Sequence, residues 1–185
     1  MVSTTHLVTA EQLIQMADDS RYELIEGVLE EVSPSSIRPG LIAMRIGSAL
    51  FLHAEAHGLG YVSTAEGGYV LSTNPDTVVA PDVGFFRTDR HPGEFPESGF
   101  FPLPPDLAVE VISPTDRKVD IDRKQAIYAK AGVPQVWWID PVARTVSVHR
   151  LGQNPEVLDE SGTLEGGDVL PGFSIAVKHI FALKR

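Results

Sequence analysis

Two acids lie inside short apolar runs, and no feature of this chain narrows its fold more. Asp82 sits in Val-Val-Ala-Pro-Asp-Val-Gly-Phe-Phe (78–86), and Glu110 follows 28 residues later in Leu-Ala-Val-Glu-Val-Ile (107–112). Runs of this length, rich in branched and aromatic residues and flanked by Pro and charge, predict buried strands over 78–86 and 107–112. A carboxylate in a core strand is costly unless something pairs with it. Two of them on neighbouring strands also repel each other. A divalent cation between them is the simplest relief, and oxygen ligands suit Mg²⁺, Mn²⁺ or Ca²⁺ rather than zinc. Taken singly, each acid reads more readily as a strand-end residue facing water. The pair with its surroundings favours the shared site.

Composition narrows the choice further. At 185 residues the chain is expected to form one domain with a sizeable core, and 43% apolar residues fit a soluble globular protein. No apolar stretch approaches membrane-spanning length, and no basic-then-apolar leader opens the sequence. The absence of cysteine excludes disulfides, zinc–thiolate sites and thiol nucleophiles, and a cytoplasmic location is the default expectation. A net charge of −10 argues against broad nucleic-acid affinity. The charge is uneven, however. Residues 1–34 carry seven acids and one Arg, whereas 117–130 carry five bases and two acids. A basic face beside an acidic site is compatible with a phosphodiester substrate.

Local signals predict the element order. Thr9-Ala10-Glu11-Gln12 has the spacing of a capping box, predicting a helix over 10–18. Tyr22–Ile25 and Val28–Val32 flank Glu26-Gly27, which predicts a tight hairpin. Ser33–Gly40 reads as a loop, and 41–57 as a helix stopped by Gly58. Strands are expected at 60–65, 68–72 and 78–86. A long Pro-rich loop follows over 87–106, then the strand 107–112 and a helix over 118–131. Strands at 135–140 and 145–150 flank the Asp140-Pro141 turn. A Gly-rich turn at 166–167 precedes an apolar stretch over 169–183. This order predicts an α/β fold, a mixed central sheet with helices on both faces. Residues 1–40 are assigned to an N-terminal helix and hairpin, 41–150 to the core and 151–185 to a C-terminal extension, within a single domain over 1–185.

Side chains alternate along a strand, so Glu110 and Ile112 face the same way and no cation stands two residues after the Glu. The nearest candidate is on the following helix, where Asp120, Lys124 and Tyr128 share one stripe. Two readings are open for Lys124. It either brings its ammonium to the acid pair, to hold a phosphate or help activate a water, or forms an exposed pair with Asp120.

These residues resemble a known family. Pro81-Asp82-Val83, Leu107-Ala-Val-Glu110-Val-Ile-Ser-Pro-Thr-Asp116-Arg117, Asp120-Ile-Asp-Arg-Lys124, Tyr128 and Ala131-Gly-Val-Pro-Gln-Val-Trp-Trp-Ile-Asp-Pro141 are similar to the Uma2 family. Arg21-Tyr-Glu-Leu-Ile-Glu-Gly27 and Leu170-Pro-Gly-Phe173 match its two ends. The resemblance implies the restriction-endonuclease-like PD-(D/E)XK core and Mg²⁺- or Mn²⁺-dependent hydrolysis of DNA. It implies metal binding by Asp82, Glu110 and the Val111 carbonyl. It also implies that Ile112 stands where the motif Lys usually is, with Lys124 taking over that function. Glu23 and Glu26 become candidate extra acids, and Gln125 a candidate phosphate contact. One departure stands out: family members often carry a His at the start of the first long helix, where this chain has Arg38-Pro39-Gly40-Leu41-Ile42. Arg38 or Arg45 is the candidate replacement.

Other features read more simply. His53 and His57 have metal-ligand spacing but no evident third ligand, and cationic His suits a helix C-terminus. Trp137 and Trp138 point to opposite faces of their strand, one toward the core and the other toward a partner or a nucleic acid, with core or dimer packing the readier reading. Glu165-Gly166-Gly167-Asp168 reads as a surface turn. The apolar strand 136–139, with 145–149, is the expected homodimer contact. Two function classes remain open: a metal-dependent endonuclease with weak DNA affinity, and a nuclease-fold binding or accessory module without turnover. A metal-dependent hydrolase of another substrate is a third possibility.

Overall fold

A computed structural model describes residues 7–16, 21–32, 36–90 and 97–182. Helix α1 (Ala10–Gln15) is closed by a capping box: Thr9 accepts from the Gln12 N–H, and the Gln12 side chain accepts from the Thr9 N–H. The chain then forms a hairpin of β1 (Tyr22–Ile25) and β2 (Val28–Glu31). Glu26 and Gly27 have φ of 50° and 81°, the backbone that a two-residue hairpin with right-handed strand twist requires. Helix α2 spans Ile37–His57 and ends at Gly58 in the left-handed region.

Strands β3 (Gly60–Thr64), β4 (Tyr69–Ser72), β5 (Thr77–Val79), β6 (Val83–Arg87) and β7 (Leu107–Val111) follow. Helix α3 (Lys118–Lys130) leads into β8 (Gln135–Asp140) and β9 (Thr145–Arg150). The C-terminal part adds β10 (Glu156–Leu158), β11 (Thr163–Glu165), β12 (Ser174–Ala176) and α4 (Val177–Ile180). Among the described residues the strands make three sheets. The largest has the order β10-β9-β8-β7-β6-β3, with β7 and β8 parallel and every other pair antiparallel. An antiparallel sheet β2-β1-β5-β4 joins the N-terminal hairpin to the middle of the chain. The fold is therefore α/β with a mixed central sheet.

The two faces of that sheet are covered by different helices. Leu107, Val109, Val111, Trp137 and Ile139 share a cluster with Ile42, Ile46 and Leu50 of α2. Ala108, Val136 and Trp138 share another with Tyr128 of α3. Strand alternation alone produces this division.

Several expectations need correction. The run 78–86 is not one strand. It breaks at Ala80-Pro81-Asp82, and its halves, β5 and β6, belong to different sheets. Pro81 has no N–H to give a ladder, so the chain changes sheets there. The expected loop to Gly40 is helical from Ile37, and residues 33–35 lie outside the described part. Pro39 fits the first helical turn because no N–H there has a helical acceptor. Helix α1 stops at Gln15, and residues 17–18 of the expected helix lie outside the described residues, as do 91–96 of the long loop and Leu183. The strand 136–139 is no outer surface: β8 lies between β7 and β9, and Trp137 and Trp138 are both buried. Both Trp side chains pack in the core, the readier expectation, and neither faces a partner or a nucleic acid. Among the described residues, no helix is long and apolar enough to cross a membrane.

Candidate active site

Glu110 is the fourth residue of β7, a strand buried along its whole length. Alternation puts it on the α3 side with Ala108 and Ile112. Strand β6 pairs with β7 through Val83↔Val109, and the same antiparallel register carried one step outward sets Asp82 opposite Glu110. The Val111 N–H donates to Asp82 Oδ2 at 2.8 Å, fixing that carboxylate at the strand end.

Helix α3 supplies the other half. Lys124 and Tyr128 are one turn apart, so both reach the same strand. The fully buried Tyr128 hydroxyl donates to Glu110 Oε1 at 2.5 Å. Lys124 Nζ lies 3.0 Å from the same oxygen and 2.9 Å from Glu23 Oε1. Glu23, on β1, also accepts from the Ala80 N–H at 3.0 Å. Four side chains from three segments, Glu23 of β1, Glu110 of β7 and Lys124 and Tyr128 of α3, thus converge on one point. No hydrogen bond to Glu110 Oε2 or Asp82 Oδ1 is formed by the described residues, and neither atom is sealed from solvent. Both residues line a cavity of about 800 Å³, with Arg21, Asp116, Arg117 and Arg123 at its rim.

Electrostatics follow from burial. Desolvation pushes the Glu110 carboxyl up to about 7, against the pull of Lys124, and the neighbouring Asp82 and Glu23 add to the rise. Burial also raises Asp82, while the Val111 N–H and Lys124 draw it back. Burial alone would lower Lys124, but Glu110 and Glu23 outweigh it and hold the ammonium above its ordinary range. Lys124 is therefore a permanent cation near neutral pH, a donor rather than a base. Tyr128 is raised well above the usual phenol range, by burial first and then by Glu110. Three carboxylates against one ammonium leave the site with excess negative charge.

That donor set fits a hard divalent ion. It contains only oxygen, and it presents carboxylates from two adjacent strand ends. Among the described residues no group of three or more His, Asp or Glu is arranged to hold an ion. This is compatible with Mg²⁺, which takes one or two carboxylates and keeps several waters rather than filling a protein cage.

The remaining candidates lie elsewhere. Glu26 is at the hairpin turn, exposed, and paired with Lys130 at 2.8 Å. Gln125 accepts from Trp138 Nε1 at 2.7 Å and does not line the cavity. Ile112 packs against the α3 cluster. Neither Arg38 nor Arg45 lines the cavity, and Arg45 donates instead to the His179 carbonyl. His53 bonds the Pro171 carbonyl and His57 the His53 carbonyl, with their rings 4.3 Å apart.

The basic segment 117–130 is not a free cationic face. Arg117 pairs with Asp120 and Lys118 with Asp122, while Arg123, Lys124 and Lys130 pair with Glu30, Glu23 and Glu26 of the hairpin. Three hairpin acids and the segment's own two acids thus neutralise its five bases. Sequence reasoning noted Tyr128 only as part of a stripe and missed its bond to Glu110. The i, i+4 spacing from Lys124 was the available signal.

Comparison with known proteins agrees with this architecture. A family model described as "Putative restriction endonuclease", Uma2, matches residues 10–178. A crystal structure of "a putative nuclease belonging to DUF820" from Anabaena variabilis ATCC 29413 superimposes with a TM-score of 0.80 at 21% identity. The match covers 94% of this chain and 97% of that one, and at this identity it speaks for the fold. No curated protein matches the chain. With the family model spanning nearly all of the sequence, this chain belongs to the Uma2 family of restriction-endonuclease-like proteins.

Proposed function

We propose that this protein is a divalent-metal-dependent endonuclease that hydrolyses DNA phosphodiester bonds in the Asp82–Glu110 cavity. The observation that carries the reading is the convergence of Asp82, Glu110 and Lys124 in the wall of one cavity. Asp82 Oδ1, Glu110 Oε2 and the Val111 carbonyl are the groups that would hold Mg²⁺ or Mn²⁺. When bound, such an ion polarises a phosphoryl oxygen and lowers the pKa of a coordinated water.

The chain's own groups have separate tasks. Tyr128 and Lys124 both bond Glu110 Oε1, which fixes the carboxylate and leaves Oε2 for the pocket. The Lys124 ammonium offsets the charge that builds on the phosphoryl oxygens as water adds and the bond to the leaving sugar oxygen breaks. Arg21 and Arg123 line the same cavity, where they can contact flanking phosphates once their carboxylate partners give way. Because every base of the 117–130 segment already has an acid partner, affinity for DNA is weak and falls with salt.

The test is nicking of supercoiled plasmid at low salt with Mg²⁺ or Mn²⁺, comparing wild type, Glu110→Ala and Lys124→Ala. Cleavage by the wild type that both variants lose supports the nuclease. Equal cleavage by all three identifies a contaminant. Retention of DNA without cleavage under any metal supports the binding-module reading instead.

A further inference from the structure

We infer that the outer face of α2 is a contact between two copies of this chain, packed as an antiparallel helix pair about a two-fold axis. Helix α2 carries two apolar stripes. Ile42, Ile46, Leu50 and Ala54 are buried against the central sheet. Ile37, Leu41, Met44 and Phe51 point outward, with exposures of 78, 47, 65 and 50%. Ser48 fills the place between Met44 and Phe51, so this second stripe alternates steps of four and three, the repeat with which one helix packs on another. A solvent-facing helix surface ordinarily carries polar residues at those places. With Leu52 beside it, the stripe leaves on the order of 500 Å² of apolar side chain in water, the upper end of what a monomer carries. Burying it in both copies removes on the order of 1,000 Å², the size at which an interface holds in solution.

The surface also complements itself. A groove of about 440 Å³ runs beside the stripe, between α2 and β3, with Ala43, Gly47, Val62 and Thr64 on its walls. A Cβ on Gly40 would meet nothing within 4 Å, so the groove is open at the N-terminal end of the helix. Met44 and Phe51 stand along the groove as knobs. Knobs and a hollow on one surface are what an isologous two-fold contact needs. Charge does not oppose the contact: the chain carries −10, yet residues 37–54 contain Arg38 and Arg45 and no acid, and the acids Glu66 and Asp82 that line the groove are accompanied there by Arg21. The groove shares Arg21, Ala65 and Asp82 with the main cavity, so the contact would hold the two cavities at a fixed separation.

Light scattering on the full chain, together with single-cysteine cross-linking, tests this. Wild type should run at twice 20.1 kDa, and Met44→Glu/Phe51→Glu at the monomer mass with an unchanged circular dichroism spectrum. Because the chain has no cysteine, Ser48→Cys puts a single thiol near the centre of the stripe, and mild oxidation should yield disulfide-linked dimers. Val142→Cys, at a site 78% exposed but on another surface, should not. Should the double variant fail to fold, the cross-linking decides alone. A monomeric wild type at every concentration overturns the inference, as does cross-linking no better at 48 than at 142. Neither readout depends on DNA cleavage, so the inference stands or falls apart from the nuclease reading.

Discussion

The two faces of the six-stranded sheet obey different rules. On the α2 side the buried side chains run from Val83 and Phe85 through Leu107, Val109 and Trp137, and the polar groups buried among them, the Gln135 amide and the Trp137 indole N–H, are uncharged. On the α3 side the same strand β7 presents Ala108, Glu110 and Ile112 in one row, and the Glu is as deeply set as its neighbours. One face buries no charged side chain in these strands. The other accepts a costly carboxylate and surrounds it with a phenol, an ammonium and a second acid. Such a local breach of the apolar pattern, met by a bonded network, is where a functional site is expected.

The contrast is broken most severely by opening the apolar face. Leu50→Ala removes a fully buried side chain from the α2–sheet contact and should cost ~2–5 kcal/mol in denaturant unfolding. Its remaining folded fraction should keep whatever metal affinity the wild type has, because Leu50 touches none of the four converging side chains. On the opposite face Lys124→Met keeps the volume and removes the charge. Glu110 and Glu23 are then left without their counter-ion, at a cost of ~1–3 kcal/mol. Tyr128→Phe deletes one bond to a charged group and should cost ~1.5 kcal/mol. Equal stability losses with metal affinity untouched in both variants would make this face structural like the other.

Much of the fold could be read from the sequence because its strands are short, apolar and sharply bounded. The hairpin over 22–25 and 28–31 and the strands 135–140 and 145–150 are found within a residue of expectation. The split of 78–86 was not legible: an apolar run records burial, not which of two sheets buries it. The start of α2 was masked by Ser36, Pro39 and Gly40, a composition that serves a loop and a helix N-terminus equally well. At the site, spacing along β7 and α3 left two readings open for Lys124, and the family resemblance, not the spacing, pointed it toward Glu110. The contact of Lys124 with Glu23 spans 101 residues and depends on how the hairpin sheet docks, which no local pattern encodes. The same docking turns the basic segment into a neutralised surface.

A pH series sharpens the comparison without altering packing. Glu110 titrates at about 7 in the fold against an ordinary value of 4.5, so the folded chain holds this proton where the unfolded chain has released it. Stability attributable to Glu110 therefore falls as pH climbs from 4.5 toward about 7 and levels beyond. Asp82, also raised by burial, acts in the same direction. Lys124, raised above its usual range, stays charged throughout this window and contributes no slope. Thermal midpoints measured from about pH 5 to 8 should decline more in wild type than in Glu110→Gln. Mn²⁺ should restore more stability at the upper end, since a metal competes with the proton for the carboxylate. Parallel pH profiles for the two proteins would show that Glu110 is not the group responsible.

The smallest stability effects belong to the outer edge of the charged face, and they separate stability from substrate binding. Three hairpin acids meet three bases of α3 at graded exposure: 13 and 23% for Glu23–Lys124, 34 and 50% for Glu30–Arg123, and 60 and 76% for Glu26–Lys130. Solvent screening weakens such pairs as exposure rises. Neutralising Glu23 should therefore destabilise the chain measurably, Glu30→Gln less, and Glu26→Gln not at all. Binding to DNA should follow the reverse logic. Glu26→Gln frees Lys130 at no cost to the fold, and one additional phosphate contact steepens the salt dependence by about one unit of log–log slope. Anisotropy of a short labelled duplex at low salt should show tighter binding by Glu26→Gln and Glu30→Gln than by wild type, with the gain vanishing as salt is raised. Affinity unchanged in both variants would remove the outer side of α3 from the DNA path and leave Arg21 and the cavity rim as the remaining contacts.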